Sequence, residues 1–260
     1  ITAELKVALP AYMIPNILYE LEELPLSHKR VLDVEVLHEL IETFESQSVY
    51  WKSKLSGTPS IQLPVIQNAI FEDNDSPRYQ KFPLLLDENQ VHLLSQYSEK
   101  QGVSVFISLM AVFQVLLSRY SNQEDFAIGL ELDSRLESKN FDFINSGTNT
   151  AAIRSDVVQS ITFNGLVEKI QETMDETLQH QDLPFDKILS ELSKLNDFDQ
   201  KNIFQVSFTF SANNPPLLAD NFIYSVPVLK KSDLNLELSG IENQLCGHFE
   251  YNVDCFEKET

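Results

Sequence analysis

Pro184 narrows what this chain can fold into more than any other residue, because it separates two stretches that both read as amphipathic helix. Upstream, Thr162 to Leu178 places Phe163, Leu166, Val167, Ile170, Met174 and Leu178 at three-to-four spacing. That spacing predicts a helix with one stripe facing a core. Proline inside such a helix would remove a hydrogen bond and clash with the preceding turn, and it pushes Leu183 toward extended geometry. In a first helical turn, by contrast, it is well accommodated. A second helix is therefore expected to start there and carry Phe185, Ile188, Leu189 and Leu192 inward. The stretch His180-Gln181-Asp182-Leu183-Pro184-Phe185-Asp186-Lys187 reads as a helix–corner–helix that packs a core.

The remaining pattern alternates helix and strand. Val34 to Leu55 reads as helix, with Val36, Leu37, Leu40, Ile41 and Phe44 on one face and Tyr50, Trp51 and Leu55 on another. Gly57-Thr58-Pro59 ends it, and a loop-rich passage follows to Pro83. Phe82 to Leu86 reads as a strand. Asp87 then caps a helix lined by Val91, Leu94 and Tyr97, which Gly102 ends. Ser104 opens the most apolar helix, Val105 to Tyr120, hydrophobic nearly all round and expected to be deeply buried. Strand candidates are Phe126 to Leu132, Ala151 to Ile153, Phe204 to Phe210, Phe222 to Val228, Leu234 to Leu238 and Leu245 to Tyr251, several of them alternating in period two. Helices interleaved with strands predict an α/β fold built on a mixed sheet with flanking helices.

Composition sets limits on partners. The 260 residues suit one large domain, or a domain with a small attachment. Net charge is −20, from 39 acids against 19 bases. Phosphate contact needs clustered Lys and Arg, so neither nucleic acid nor an anionic membrane surface is an expected partner. No apolar run approaches the ~18 residues of a membrane span. Cys246 and Cys255 match no zinc or redox spacing, and free thiols in a reducing cytoplasm are the simplest account. Acidic pairs such as Glu22-Glu23 and Asp73/Asp75 read as solvated surface, and no metal site is expected. Ile1 in place of a starting Met suggests a piece of something longer.

With its neighbours, the proline corner resembles that of the condensation domains of nonribosomal peptide synthetases, which carry an HQDxPF-type corner followed by a strand of the form NPLFQVxF. Here the strand reads Asn202-Ile203-Phe204-Gln205-Val206-Ser207-Phe208. Gly102 to Phe106, Phe113 to Ser121, Asp125 to Gly129, Ser232 to Leu236 and Phe249 to Asn252 fall in the family's order. Tyr50-Trp51-Lys52-Ser53-Lys54-Leu55 matches its YWxxxL helix. The resemblance covers about Tyr50 to Thr260 and implies one lobe, the C-terminal one, of a fold similar to chloramphenicol acetyltransferase. In that family two lobes meet in a V. Carrier domains send phosphopantetheine arms into the tunnel between them, and an acceptor amine attacks a donor thioester.

The resemblance also says which residues to watch. The family's HHxxxDG motif lies in the first lobe. Of this chain's histidines, His28, His38, His92, His180 and His248, no two are adjacent and none is followed by xxxDG. No catalytic residue is therefore assigned to this chain. The family-derived cleft or structural residues are Arg135, Asn149, Thr150, Arg154, His180, Gln181, Asp182, Pro184 and Phe185. In the family an arginine at the position of Arg135 pairs with the motif's aspartate. Here it pairs with Asp133 or Glu137, lies exposed, or meets another chain, since a buried guanidinium without a carboxylate is costly. His180 reads as a helix-end residue, favoured there by the helix dipole. The family's IGxFVNTLPLR element keeps Asn149, Thr150 and Arg154, but its Phe-Val pair has become Gly147-Thr148. That change removes roughly 1.5–3 kcal/mol of burial for each fully buried side chain. The Gln-Asn after the FQVxF strand reads Ser211-Ala212. No GGxS carrier motif occurs, so any phosphopantetheine would belong to a separate carrier domain.

Residues 1–33 look different. Leu9-Pro10-Ala11-Tyr12-Met13-Ile14-Pro15 followed by Leu24-Pro25-Leu26-Ser27 resembles the last segment of an adenylation domain. Val31 stands where that family holds its lysine, so adenylation is not expected here. The expected division is 1–33 adenylation-like, 34–49 linker helix and 50–260 condensation-like lobe. Two functions follow from the resemblance. One is a noncatalytic lobe acting as scaffold or as a docking surface for carrier domains and neighbouring synthetase modules. The other is the second half of an amide-forming enzyme whose first lobe comes from another chain. A lobe built to be covered could also pair with a second copy of itself.

Overall fold

A computed structural model describes residues 25–26, 31–65, 78–132, 149–158, 160–193, 205–212, 232–241 and 244–256. The chain order is α1 (Val34–Leu55), β1 (Tyr79–Leu86), α2 (Glu88–Gln101), α3 (Val105–Ser121), β2 (Asp125–Leu132), β3 (Asn149–Asp156), α4 (Phe163–Gln179), α5 (Phe185–Leu192), β4 (Val206–Ala212), β5 (Leu234–Ile241) and β6 (Gln244–Asn252). The strands form a six-stranded mixed sheet in the order β1-β6-β5-β4-β2-β3. β4 runs parallel to both β2 and β5, and the other pairings are antiparallel. This is the mixed α/β architecture expected from the pattern. The candidate strand at 222–228 lies outside the described residues, as does Phe204.

The helices begin where short polar side chains can hold free N–H groups. Asp33 accepts from Val36, Ser104 from Ile107 and Thr162 from Gly165. Asp87 and Gln90 form a reciprocal capping box. α2 ends on Gly102 and α3 on Asn122, both in the left-handed conformation. Glycine and asparagine are the residues that reach it at least cost.

Period-two alternation gives the sheet two unlike faces. Phe126, Ile128, Leu130, Val206, Phe208, Phe210, Leu236, Leu238 and Leu245 are buried in one core with α3 and α4. Phe106 of α3 lies 5.5 and 5.9 Å from Phe208 and Phe210, ring centre to ring centre, and Phe113 lies 5.7 Å from Phe208. The opposite side carries Ser207 and Thr209 on β4, Asn235, Glu237 and Ser239 on β5, and Cys246, His248 and Glu250 on β6. All but Ser207 remain partly open to solvent.

Two expectations need correcting. α3 is not buried all round: Val112, Leu116 and Tyr120, one turn apart, are 51%, 38% and 58% exposed. The sheet occupies one side of the helix and α2 and α4 flank it, which among the described residues leaves the fourth side open. In α1 the core stripe is single rather than double. Leu40, Phe44, Gln47, Trp51 and Leu55 are its buried residues, while Val36 is exposed. The helix runs unbroken across residues 49 and 50 because that stripe continues through them. At its start Asp33 N–H donates to Pro25 O, and Leu26 bridges Leu32.

Gly247 fixes how closely β5 and β6 approach. A Cβ there would stand 2.0 Å from the backbone oxygen of Glu237, which cannot swing away as a side-chain tip could. Gly247→Ala is expected to force the strands apart and destabilise the protein by about 3 kcal/mol. A urea midpoint unchanged from the wild type would refute this close-approach account.

Candidate functional site

The proline corner is assembled by α1, which packs on α5. Gln47, buried within the apolar stripe, donates from Nε2 to Asp182 Oδ2 at 2.8 Å and accepts the Leu183 N–H at Oε1 at 2.7 Å. Trp51 Nε1 donates to His180 O at 2.8 Å. Tyr50 stacks on the His180 ring, with centres 3.8 Å apart and planes 10° from parallel. The imidazole Nδ1 donates to Glu176 O at 2.7 Å, closing the end of α4. Pro184 opens α5 through its own carbonyl, which accepts from Lys187 and Ile188. Leu183, Phe185 and Ile188 are buried beneath, together with Gln181.

Charge on the rim reinforces the clasp. Lys52 meets Glu191 at 2.6 Å and Lys54 meets Glu176 at 2.8 Å. The Lys54 hydrogen bond holds the Glu176 carboxyl below the usual glutamate range, against an opposing push from burial. Burial, and then the Glu176 charge, pushes the Tyr50 phenol up to about 12, so it stays a neutral donor. Its hydroxyl points to Glu176 at 3.4 Å.

Arg154 on β3 secures the other end of α1. Its Nε and Nη2 take both oxygens of Asp125 at 2.7 and 2.6 Å. Nη1 donates to Lys54 O and Ser56 O at 3.0 and 3.1 Å, satisfying carbonyls that the helix end leaves free. The bidentate bond to Asp125 raises the guanidinium further above its ordinary value, burial opposing it.

α1 thus ties the corner that holds His180 and Asp182 to Arg154 on β3. Thr150 and Asn149 sit on β3 opposite Glu131 and Leu132. Arg135, Asp133, Glu137, Gly147 and Thr148 lie outside the described residues. Asp182, Leu183 and His180 are occupied in holding a helix, and among the described residues no histidine, cysteine, aspartate and glutamate group could hold a metal. Cys255 is buried beside Asp233, and desolvation with that charge pushes its thiol up to about 12, far from a nucleophile.

Sequence reasoning missed two polar groups. Gln47 reads in the sequence as a break in the stripe, although it stands three residues after Phe44 and four before Trp51. The second group lies on the open sheet face. Ser207 and Thr209 donate to Asn235 Oδ1 at 3.0 and 3.5 Å, and His248 Nε2 lies 3.4 Å from Glu237 Oε2. The alternation of Asn235, Glu237 and Ser239 against Cys246, His248 and Glu250 carried that signal.

The family model described as "Condensation domain" matches residues 21–260. The chain belongs to the condensation-domain family. The match begins inside the segment that resembles an adenylation domain. A linear gramicidin synthase of Brevibacillus parabrevis is 33% identical over 231 residues, covering 84% of this chain and 3% of that protein. Phosphinothricin tripeptide synthetase PhsC of Streptomyces viridochromogenes is 27% identical over 239 residues, covering 89% of this chain and 21% of that protein. The chain therefore spans a small part of the curated relatives it matches. Among solved structures, the X-domain from teicoplanin biosynthesis superposes with a TM-score of 0.67 at 23% identity, over 87% of this chain and 54% of that one. The EpoB cyclization-docking bidomain from Sorangium cellulosum gives 0.67 at 18% identity, over 91% of this chain and 50% of that one. Both share the condensation-domain fold.

Within this condensation-domain chain the corner is a structural clasp, and its removal should be costly. Gln47→Met keeps volume but removes the two hydrogen bonds that Gln47 makes to the Leu183 N–H and the Asp182 carboxylate, an expected loss of about 2–3 kcal/mol read from urea unfolding. Glu176 supplies a pH test. Its carboxyl is held low in the folded state, so its contribution is complete above the ordinary glutamate value and is lost as pH falls through the lowered one. Lys54→Met should flatten the acid limb of stability against pH; an unaltered limb would show that the bridge carries no linkage.

Proposed function

We propose that this chain is the second lobe of a condensation-type domain in a nonribosomal peptide synthetase. In this reading it forms one wall of a cleft where an acceptor amine meets a donor thioester, and it does not complete the reaction alone. The extent of the structural match supports this most directly: most of the chain superposes on about half of the teicoplanin X-domain. The roles of the corner residues agree with it. His180 closes a helix and stacks on Tyr50, so the HQD stretch serves as architecture rather than as a source of a base.

The donor and acceptor would arrive on phosphopantetheine arms of separate carrier domains or neighbouring modules. In a complete domain the proton of the amine would pass to a group of the facing lobe. The part played by this chain is to hold its wall rigid, through the α1 clasp and the Arg154–Asp125 pair, and to offer carriers a docking surface. The free thiols Cys246 and Cys255 suit work in a reducing cytoplasm. Val31, apolar, stands at the position matched to the adenylation lysine, so residues 1–33 are not read as an activating site.

Carrier-bound donor and acceptor incubated with the chain alone should give no amide above the uncatalysed background, by mass spectrometry of the products. Adding a separately expressed first lobe that bears the HHxxxDG motif should restore product, and Arg135→Ala should abolish the rescue. Turnover by the isolated chain would overthrow the proposal.

A further inference from the structure

The open sheet face carries an imidazole that the clasp does not use. His248 on β6 stands directly opposite Glu237 on β5 and Pro83 on β1. Its side chain is 18% exposed and that of Glu237 39%. Nε2 is shut off from solvent and lies 3.4 Å from Glu237 Oε2, within ion-pair range but without the alignment of a completed hydrogen bond. A carboxylate beside one ring nitrogen keeps the proton on that nitrogen and leaves the lone pair on the other. The nitrogen next to Glu237 is Nε2, so the acceptor is Nδ1. Two residues back along β5, Asn235 Oδ1 already accepts from Ser207 and Thr209, continuing the row of acceptors on that strand.

We propose that His248, oriented by Glu237, binds a primary amine on the polar face of the sheet. An ammonium carries three N–H donors and a positive charge. Nδ1 of His248 would accept one donor, while Glu237 supplies the compensating charge. The groups that share this face near His248 are Glu237 on β5, Cys246 and Glu250 on β6, and Lys81 on β1, which pairs in register with Glu250. Their balance, two carboxylates against one ammonium, suits a cation. The inference rests on the proposed function only in naming the amine as the reaction's acceptor; the site itself is defined by His248 and Glu237.

The probe is an aminoacyl N-acetylcysteamine thioester, with its N-acetylated counterpart as the control that lacks the amine. Histidine ring resonances of the full chain are followed by NMR while each is added. His248 should shift saturably with the free-amine probe and stay unmoved with the acetylated one, while His92 on the outer face of α2 reports non-specific effects. His248→Ala should weaken binding about 10-fold, the worth of one charge-assisted hydrogen bond. Glu237→Gln should weaken it less and release the preference for the Nε2–H tautomer. Equal shifts with both probes, or an unchanged affinity in His248→Ala, would overturn the amine site. If mixed lobes form no amide yet His248 binds the amine, the site stands and the condensation reading falls. If amide forms and His248→Ala alters neither binding nor the KM for the acceptor, the reverse holds.

Discussion

Everything else in the fold is arranged around the double hydrogen bond of Gln47 to the proline corner. A proline opens a helix without a side-chain cap, and Leu183 before it is buried with a backbone N–H to satisfy. Buried donors without partners cost about 1–3 kcal/mol each. Gln47 answers that need from a helix 136 residues away in the chain, and its amide nitrogen takes the neighbouring carboxylate as well. Once that bond is made, Trp51 and Tyr50 are placed on His180, and Leu55 reaches the core. The helix then presents its last carbonyls to Arg154. The corner and the β3 edge of the sheet are therefore positioned by one rigid element.

Local signals were legible because they depend on neighbouring residues only. The break at Pro184, the start of α2 at Asp87, the start of α3 at Ser104 and the amphipathic stripe of α4 all follow from rules that act within a turn or two. Long-range facts were not. Nothing local says that β6 lies between β1 and β5, or that β4 joins the two halves of the sheet by parallel pairing. Gln47 was illegible for the same reason: its burial makes sense only with Asp182 and Leu183 beside it. The reading of α3 failed differently. An apolar residue count reports how much surface can be buried, whereas the number of neighbours decides how much is, and Val112, Leu116 and Tyr120 face a side with none among the described residues.

The candidate site residues divide along the same line. His180, Asp182, Pro184 and Phe185 were singled out by their resemblance to a motif, and the structure gives them structural work. His248 and Glu237 carry no motif, yet they place an imidazole and a carboxylate side by side on the open face. A motif identifies positions that a fold family keeps for any purpose, and packing is the commonest one. Chemistry particular to one chain is better sought where strand alternation puts polar side chains on a face that is not needed for the core.

That division has a mechanical consequence. The clasp lies at the β3 edge, and the polar row lies on β4, β5 and β6 toward the other edge. Between them the sheet is stiffened by the packing of Phe106 and Phe113 against Phe208 and Phe210, on the side away from the row. Side chains on the open face can therefore change without touching the core that holds their backbone in place. Gly247 is the exception, since it sits between Cys246 and His248 and sets the strand spacing on which the Glu237–His248 distance depends. A fold built this way keeps its architecture fixed while the chemistry of its exposed wall varies, which is what the proposed wall would require to face different amines.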